Sequence, residues 1–198
     1  ILSMPCNSFI FIGRSGCGKG TQAALLMQSL KDKGENASYI ETGHEFREFT
    51  KGENYTNTKS LQMMEQDLRQ PDFLACHMWT KILIEEYNGN EHLVFDGVSR
   101  SLTEARVLDT ALQFYGFEKR YVIHLDVSRA WSEKHLLSRG RADDANIDRI
   151  TKRLDWFDTD VAPAIEYYKS SPDYTFISIG GERSIEDVQS DLVANLSL

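Results

Sequence analysis

The stretch from Ser8 to Gln22, "SFIFIGRSGCGKGTQ", constrains the fold of this chain more than any other. An apolar run ends at Gly13, a glycine-rich loop follows, and the next residues are typical of a helix. In such a strand, loop and helix unit, successive backbone N–H groups and the helix dipole point at one anion. The pattern therefore predicts a phosphate-binding loop, although a glycine-rich turn without a ligand has a similar sequence.

The residues around Lys19 indicate which phosphates such a loop holds. Gly13, Gly18 and Lys19 match the pattern G-x-x-x-x-G-K, in which the lysine reaches the β- and γ-phosphates. Gly20 follows the lysine, so the hydroxyl that usually contacts Mg²⁺ comes one residue later, from Thr21. We therefore predict a nucleotide bound as its Mg²⁺ complex, with Thr21 beside the metal.

Apolar periodicity predicts an α/β fold with a five-stranded parallel sheet, because short apolar runs alternate with helical patterns along the chain. The predicted strands are 8–13, 37–42, 92–97, 120–127 and 174–179. The predicted helices are about 18–33, several between 43 and 89 with breaks at Gly52 and Pro71, about 103–115, 128–139, 145–169 and 184 onward. No repeat or linker marks a second unit, so we expect a single domain over 1–198.

Charged residues follow the predicted strands where ligands of doubly wound sheets bind, beyond the carboxyl ends. Asp96 ends the third strand and is a candidate to hold a metal-bound water, although a helix N-cap or a turn also favours an aspartate. The arginines after the strands are Arg47, Arg100, Arg139, Arg141 and Arg153. A single arginine is most often a solvated surface charge. Five at one edge of the sheet favour phosphoryl transfer, which needs positive charge around the transferred group.

Composition argues against several classes of protein. A formal net charge of −8 lacks the basic face that nucleic acid and membrane surfaces require. The longest apolar runs fall short of the about 18 residues of a membrane span. The three cysteines, Cys6, Cys17 and Cys76, are too few and too scattered for a disulfide framework or a zinc site. We therefore expect a monomeric cytoplasmic protein that binds small molecules.

Several segments resemble, in order, motifs of the adenylate kinases, a family of nucleoside monophosphate kinases. "GRSGCGKGTQ" is similar to the family's loop G-x-x-G-x-G-K-G-T-Q, "IETGHEFR" to S-T-G-D-x-x-R, and "FDGVSRS" to D-G-F-P-R-T. "RGRADD" with "KRL" resembles the lid-closing G-R-x-D-D and K-R-L, and "APAIEYY" and "IGGERSIEDV" resemble later segments. The resemblance covers about 8–190. It implies a doubly wound P-loop kinase core, a helical segment for the monophosphate at about 42–72 and a minimal lid at about 139–143.

By this resemblance, the chain transfers the γ-phosphoryl group of MgATP reversibly to AMP, giving two ADP. The positions implied to bind ATP are Gly16, Cys17, Gly18, Lys19, Gly20, Thr21, His135, Arg139 and Arg183. Those implied to bind AMP are Thr42, Arg47, Gln70, Pro71, Gly97, Arg100, Glu104, Arg141 and Arg153. Those implied to stabilise the transferred group are Lys19, Arg100, Arg139, Arg141 and Arg153. The Mg²⁺ that accompanies ATP is expected at Thr21 and Asp96, largely through water.

Two departures from the family's motifs concern the acceptor base. Glu104 stands where the family has a glutamine that reads adenine. An amide donates and accepts hydrogen bonds, whereas an ionised carboxylate only accepts, which suits the N–H groups of guanine. "GVSR" also lacks the aromatic residue and the rigid proline of G-F-P-R.

Several alternatives therefore stay open. The chain could prefer GMP, or CMP and UMP, as its acceptor. Glu104 could instead lie one turn away as a solvated side chain. From another class of protein, a non-catalytic module that senses adenylates would use the same loop, although it would not need Lys19 and the arginines together.

Overall fold

The computed structural model describes residues 6–140 and 146–196 of the chain. Five strands in this part form one parallel sheet in the order β2, β3, β1, β4, β5. They are β1 Asn7–Gly13, β2 Ala37–Glu41, β3 His92–Asp96, β4 Lys119–Asp126 and β5 Thr175–Gly180. Each bound lies within one residue of its predicted position, so the predicted α/β fold class is confirmed.

The helices run between and after these strands. They are α1 Lys19–Asp32, α2 Thr42–Phe49, α3 Tyr55–Glu65, α4 Asp72–Glu85, α5 Leu102–Phe114, α6 Arg129–Arg139, α7 Ile147–Trp156, α8 Ala162–Ser170 and α9 Ile185–Leu196. The helix predicted over 145–169 is not α-helical throughout, because a π-helical turn, Phe157–Val161, joins α7 to α8. Within the described ranges, none of the helices is long and apolar enough to cross a membrane.

The sheet is buried on both faces because side chains alternate along each strand. In β1, Phe9 and Phe11 pack on the face covered by α1 and α9, whereas Ile10 and Ile12 pack on the face covered by α4, α5 and α8. All four side chains are at most 3% exposed. Burial of each contributes about 1.5–3 kcal/mol. This core gives the carboxyl edge of the sheet a rigid base.

Two smaller apolar clusters attach the elements that flank this edge. Phe46 of α2 packs against Leu74 and Met78 of α4. Leu136 of α6 packs against Ile150 and Leu154 of α7. The segment predicted to bind the monophosphate is thus joined to the core mainly through α4.

Candidate active site

The loop between β1 and α1 presents backbone N–H groups and a lysine to one space. Gly18 precedes α1 with φ of 96°, and no side chain in the described part of the protein caps the helix. Uncapped N–H groups at a helix start bind anions. Lys19 Nζ donates hydrogen bonds to the carbonyl oxygens of Gly13 and Arg14, each at 2.9 Å. The Sγ of Cys17, a residue only 5% exposed, lies 3.5 Å from the same ammonium group.

Asp96 lies directly against the start of α1. A Cβ atom on Gly20 would be 3.2 Å from Asp96 Oδ2, closer than ordinary contact, so a glycine leaves room for this carboxylate. Tyr39 of β2 donates its hydroxyl hydrogen to the same oxygen at 2.9 Å. Thr21 is exposed in the first turn of α1. The approach of Asp96 thus accounts for the glycine at position 20, and the hydroxyl is supplied by the next residue, Thr21.

These residues fit a magnesium ion that arrives with its nucleotide. Carboxylate and hydroxyl oxygens are ligands that Mg²⁺ prefers, and the ion usually keeps several waters and binds substrate phosphates. Asp96 and Thr21 supply such oxygens beside the loop. Among the described residues, no group of three or more His, Cys, Asp or Glu side chains could hold a metal by itself. The donor set therefore suits a metal held chiefly by phosphates and water.

Arg47 of α2 and Arg100, which follows β3, converge beside Gly43. A Cβ atom on Gly43 would be 3.3 Å from Arg47 Nη1 and 3.6 Å from Arg100 Nη2. Arg47 pairs with Glu41 at 2.9 Å, and Arg100 Nε donates to the carbonyl oxygen of Gly97 at 2.7 Å. Gly97 has φ of 69°, and a Cβ atom there would be 2.8 Å from Arg100 Nη2. Two guanidinium groups so close together suit a phosphate group.

Two buried polar side chains close in sequence to these arginines have no side-chain hydrogen-bond partner within 6–140 and 146–196. They are Thr42, which is fully buried, and Glu104, whose side chain is 1% exposed. Neither carboxyl oxygen of Glu104 has a side-chain partner, although the backbone N–H of Arg100 lowers the pKa of this group. Buried polar groups in folded proteins nearly always have a partner. The alternative that Glu104 is solvated is wrong, because its side chain is 1% exposed.

Glu104 lies beside an arginine that is shared with another carboxylate. Arg69 Nη1 is 3.7 Å from Glu104 Oε1, whereas Arg69 Nη2 donates to Asp72 Oδ1 at 2.8 Å. Ser101 donates its hydroxyl to the same Asp72 oxygen and accepts the backbone N–H of Glu104. Burial raises the pKa of Glu104 to about 7, against the opposing charges of Arg100 and Arg69. Near neutral pH this carboxyl group is therefore divided between acid and carboxylate.

The "GVSR" segment has a backbone that a proline cannot adopt. Ser99 has φ of 64°, whereas proline is restricted to about −65°. The Ser99 hydroxyl is hydrogen-bonded to the hydroxyl of Tyr168 of α8 at 2.7 Å, and both residues are fully buried. Such a left-handed conformation costs about 1–3 kcal/mol in a residue other than glycine. Serine at position 99, where the family motif has proline, is therefore compatible with the left-handed turn immediately before Arg100.

Gln70 and Pro71, implied by resemblance to wall the acceptor base, lie between α3 and α4. The Gln70 side chain accepts a hydrogen bond from the Ser60 hydroxyl at 3.0 Å and donates one to the Ser60 carbonyl oxygen at 2.9 Å. Pro71 occupies the N-cap position of α4. Gln70 is therefore turned towards α3, and its contact with a base stays a prediction.

His135 and Arg183, implied to lie beside the ATP base, make local contacts. The His135 ring stacks on Trp131 with centroids 4.3 Å apart, and its Nδ1 lies 3.0 Å from the Trp131 carbonyl oxygen. Arg183 pairs with Asp191 of α9 at 2.6 Å. The stacked pair offers a flat surface. The sequence patterns indicate His135 but do not indicate its partner Trp131.

The predicted lid arginines are only partly described. Arg139 is exposed at the end of α6, and Arg153 is half-buried on α7. Arg141 and the remainder of the predicted lid, 141–143, lie outside the described residues. The roles of these three arginines remain predictions.

Comparison with known proteins decides the family. A family model described as adenylate kinase matches residues 11–172, more than half of the chain. The chain belongs to the adenylate kinase family. "Adenylate kinase 1" of Nostoc sp. is 33% identical over 187 residues, which cover 94% of this chain and 97% of that protein. "Adenylate kinase" of Flavobacterium psychrophilum is 29% identical over 197 residues, covering 96% and 99%.

A third relative has a similar identity. "Adenylate kinase isoenzyme 1" of Caenorhabditis elegans is 28% identical over 193 residues, covering 95% of this chain and 86% of that protein. The phosphotransferase class expected from the sequence is confirmed by this family membership.

In this member of the adenylate kinase family, two further arginines adjoin the site, and sequence reasoning missed both. Arg14 of the loop pairs with Asp158 at 2.8 Å, and its guanidinium group lies 4.3 Å from the ring centre of Phe157. Arg69, beside Glu104, also lies 3.6 Å from Asp160. Phe157, Asp158 and Asp160 all belong to the π-helical turn, a feature found often at functional sites. In the sequence, the two closely spaced aspartates of "FDTDV" are the feature from which partners for these arginines could have been predicted.

Proposed function

We propose that the chain transfers the γ-phosphoryl group of MgATP reversibly to AMP, giving two ADP. The observation that carries this proposal is the convergence of Arg47 and Arg100 beside Gly43, at the same edge of the sheet as the Lys19 loop. Two anion sites at one edge suit a donor and an acceptor that both carry phosphate. The names of the relatives support adenylates as the substrates.

The residues act by positioning and by charge, since phosphoryl transfer needs little covalent chemistry from the protein. The loop N–H groups and Lys19 hold the β- and γ-phosphates, and Lys19 leaves the Gly13 and Arg14 carbonyl oxygens to do so. Arg47 and Arg100 hold the acceptor phosphate. We assign Arg139, Arg141 and Arg153 to the transferred group. The acceptor phosphate is already ionised, so the reaction needs no side-chain base.

Magnesium is part of the proposed substrate complex. Bound with ATP, Mg²⁺ neutralises charge that develops on the phosphate oxygens. Thr21 and, through water, Asp96 are the residues that would hold it. We further propose that the protein acts as a monomer in the cytoplasm, without nucleic-acid or membrane partners.

GMP is the second candidate acceptor, because the residue at position 104 is a glutamate. An ionised Glu104 would accept hydrogen bonds from N1–H and the N2 amino group of guanine. An uncharged Glu104 would favour adenine instead. The choice between AMP and GMP therefore depends on one buried carboxyl group.

The test is the initial rate of ADP formation from MgATP with AMP, GMP, CMP or UMP as acceptor. At pH 6 we expect kcat/KM for AMP to exceed the other values by about tenfold or more, a difference of about 1.4 kcal/mol. A tenfold preference for another monophosphate would replace AMP as the acceptor. Nucleotide binding without transfer to any of the four would favour the adenylate-sensing module.

A further inference from the structure

The buried carboxyl group of Glu104 is the least satisfied polar group next to the proposed acceptor site. It is 1% exposed, neither oxygen has a side-chain hydrogen-bond partner among the residues described, and the backbone N–H of Arg100 favours its ionised form. The ionisable groups that face it are Arg69 before α4, Asp72 and Cys76 on α4, Arg100 after β3 and Tyr168 on α8. A group so enclosed either carries a proton or requires a ligand to share its charge.

The geometry around Arg69 limits how far this arginine keeps Glu104 ionised. Arg69 lies within 4 Å of three carboxyl groups, and it is closest to Asp72, at 2.8 Å. Glu104, at 3.7 Å, is beyond hydrogen-bond distance, and Asp160 is at 3.6 Å. One guanidinium charge divided among three carboxyl groups leaves the most buried of them the easiest to protonate.

Arg100 opposes the rise in the pKa of Glu104 through its charge and its backbone N–H, yet its guanidinium group makes no hydrogen bond to Glu104. Its Nε donates to the Gly97 carbonyl oxygen, and its Nη2 lies near the position of a Gly43 Cβ atom. The guanidinium group is thus directed towards Arg47 and the proposed phosphate site. Burial raises the pKa of Glu104 to about 7 even though Arg100 opposes the shift.

The two forms of this carboxyl group have different hydrogen-bonding patterns. A carboxylic acid has one O–H donor beside one acceptor oxygen, which is the pattern of a glutamine amide. It can donate to adenine N1 and accept from the adenine N6 amino group. A carboxylate has two acceptors, which match N1–H and the N2 amino group of guanine.

We infer that Glu104 reads the acceptor base as a neutral carboxylic acid, and that its ionisation shifts the preference of the enzyme from AMP towards GMP. This inference rests on the proposed function, because it assigns the base that the acceptor site takes. It makes the protonation of one residue of this chain part of its substrate specificity. Only the base is selected in this way, since the phosphate and MgATP are common to both acceptors.

The first test is the ratio of kcat/KM for AMP to kcat/KM for GMP, measured between pH 6 and pH 8 with saturating MgATP. The ratio cancels effects of pH that both reactions share. For a group with a pKa of about 7, the acid fraction falls about tenfold over this range, so the ratio should fall at least about tenfold in the wild type. In Glu104→Gln the ratio should stay within about twofold, because an amide does not titrate.

The matched control is Glu118→Gln, which removes the same charge from an exposed glutamate after α5. It should keep the pH dependence of the wild type. A wild-type ratio that does not change with pH, while AMP is phosphorylated, would overturn the inference and leave the proposed function intact. The same pH dependence in Glu104→Gln as in the wild type would also overturn it. Failure to phosphorylate any monophosphate would instead reject the proposed function, and the inference with it.

The second test does not require turnover. Calorimetric titration of the protein with AMP at pH 8, in buffers of different ionisation enthalpy, reports the number of protons bound with the ligand. Wild type should take up more protons with AMP than Glu104→Gln does, and fewer with GMP than with AMP. Equal proton uptake in both proteins would contradict the inference, whatever the variant does to activity.

Discussion

The donor loop, 13–21, and the proposed acceptor region meet at one edge of the sheet, yet they differ in how their polar groups are satisfied. We call the acceptor region the cleft, and it contains Thr42, Arg47, Arg69, Arg100 and Glu104. In the loop, Lys19 is hydrogen-bonded to two carbonyl oxygens and Asp96 accepts a hydrogen bond from Tyr39. In the cleft, buried Thr42 and Glu104 have no side-chain hydrogen-bond partner within the described ranges. Internal contacts thus hold Lys19 and Asp96, although Gln22 Oε1 at the end of the loop motif is also unpartnered among the described residues, whereas we propose that a ligand completes the cleft.

This difference suggests that the loop and the cleft have separate roles in the reaction. A preformed loop holds the same polyphosphate for every acceptor, so its contacts control rate. The cleft contains the features peculiar to this chain, namely Glu104, Arg69 and the left-handed Ser99. Changes in the loop should therefore affect the reaction with all acceptors alike, and changes in the cleft should affect the choice among them.

Removing the loop lysine should have the largest effect. Lys19→Met deletes the cation expected on the transferred group, and we expect kcat to fall by about 10²–10³ or more for every acceptor. Circular dichroism and thermal unfolding should stay close to those of the wild type. Lys33→Met, at the exposed C-cap of the same helix, is the control and should be fully active. Activity of Lys19→Met within a few-fold of wild type would refute its role.

Removing the buried carboxyl group should change the pH dependence of stability. Well below pH 4.5, the ordinary pKa of a glutamate, Glu104 is protonated in both the folded and the unfolded chain. As pH rises to about 7, the unfolded chain loses this proton and the folded chain keeps it, so the wild type loses stability over this window. Relative to wild type, Glu104→Gln should gain about 2–3 kcal/mol in the free energy of unfolding between pH 5 and pH 8.

Urea unfolding at the two pH values measures this change, with Glu118→Gln as the control. A stability difference between Glu104→Gln and wild type that is constant with pH would show that Glu104 is ionised in the folded protein. The contrast between the loop and the cleft would then lose its main support.

Displacing the acceptor arginine should have a smaller effect. Gly97→Ala places a Cβ atom 2.8 Å from Arg100 Nη2, so the guanidinium group must move. We expect KM for the acceptor to rise about tenfold, with KM for ATP changed less than twofold, since a charge-assisted hydrogen bond contributes about 1.5–3 kcal/mol. Gly89→Ala has the same kind of backbone strain, with φ of 83° and no described atom within 4 Å, and should leave both KM values unchanged. Equal effects of the two variants would mean that strain alone is responsible.

The smallest effects are expected from the two aspartates of the π-helical turn, which contact the two regions separately. Asp158→Asn weakens the contact with Arg14 of the loop, and Asp160→Asn weakens the contact with Arg69 of the cleft. Both aspartates are partly exposed, so each pair contributes little. We expect changes of about two- to threefold, in KM for ATP with Asp158→Asn and in KM for the acceptor with Asp160→Asn. The reverse assignment would contradict the separation of the two regions.

The loop could be predicted from the sequence because its residues are consecutive and their spacing reflects the local backbone. The strands could be predicted because each is a short apolar run, and the ends of parallel strands placed Asp96 and Arg100 at one edge. Glu104 could be located but its burial could not, since that depends on the packing of α4, α5 and α8 around it. The contacts of Arg14 and Arg69 depend on a π-helical turn, and helical periodicity does not distinguish such a turn from an α-helix.

The most direct test of phosphoryl transfer to AMP is a ³¹P NMR time course of the wild-type protein with equimolar MgATP and AMP. The account predicts that the ATP and AMP signals decay together as two ADP appear for each pair consumed, with only a small share of orthophosphate. Lys19→Met in place of the wild type should show almost no change over the same period. Orthophosphate released in step with ADP while AMP persists, or no reaction in the wild type, would contradict the account.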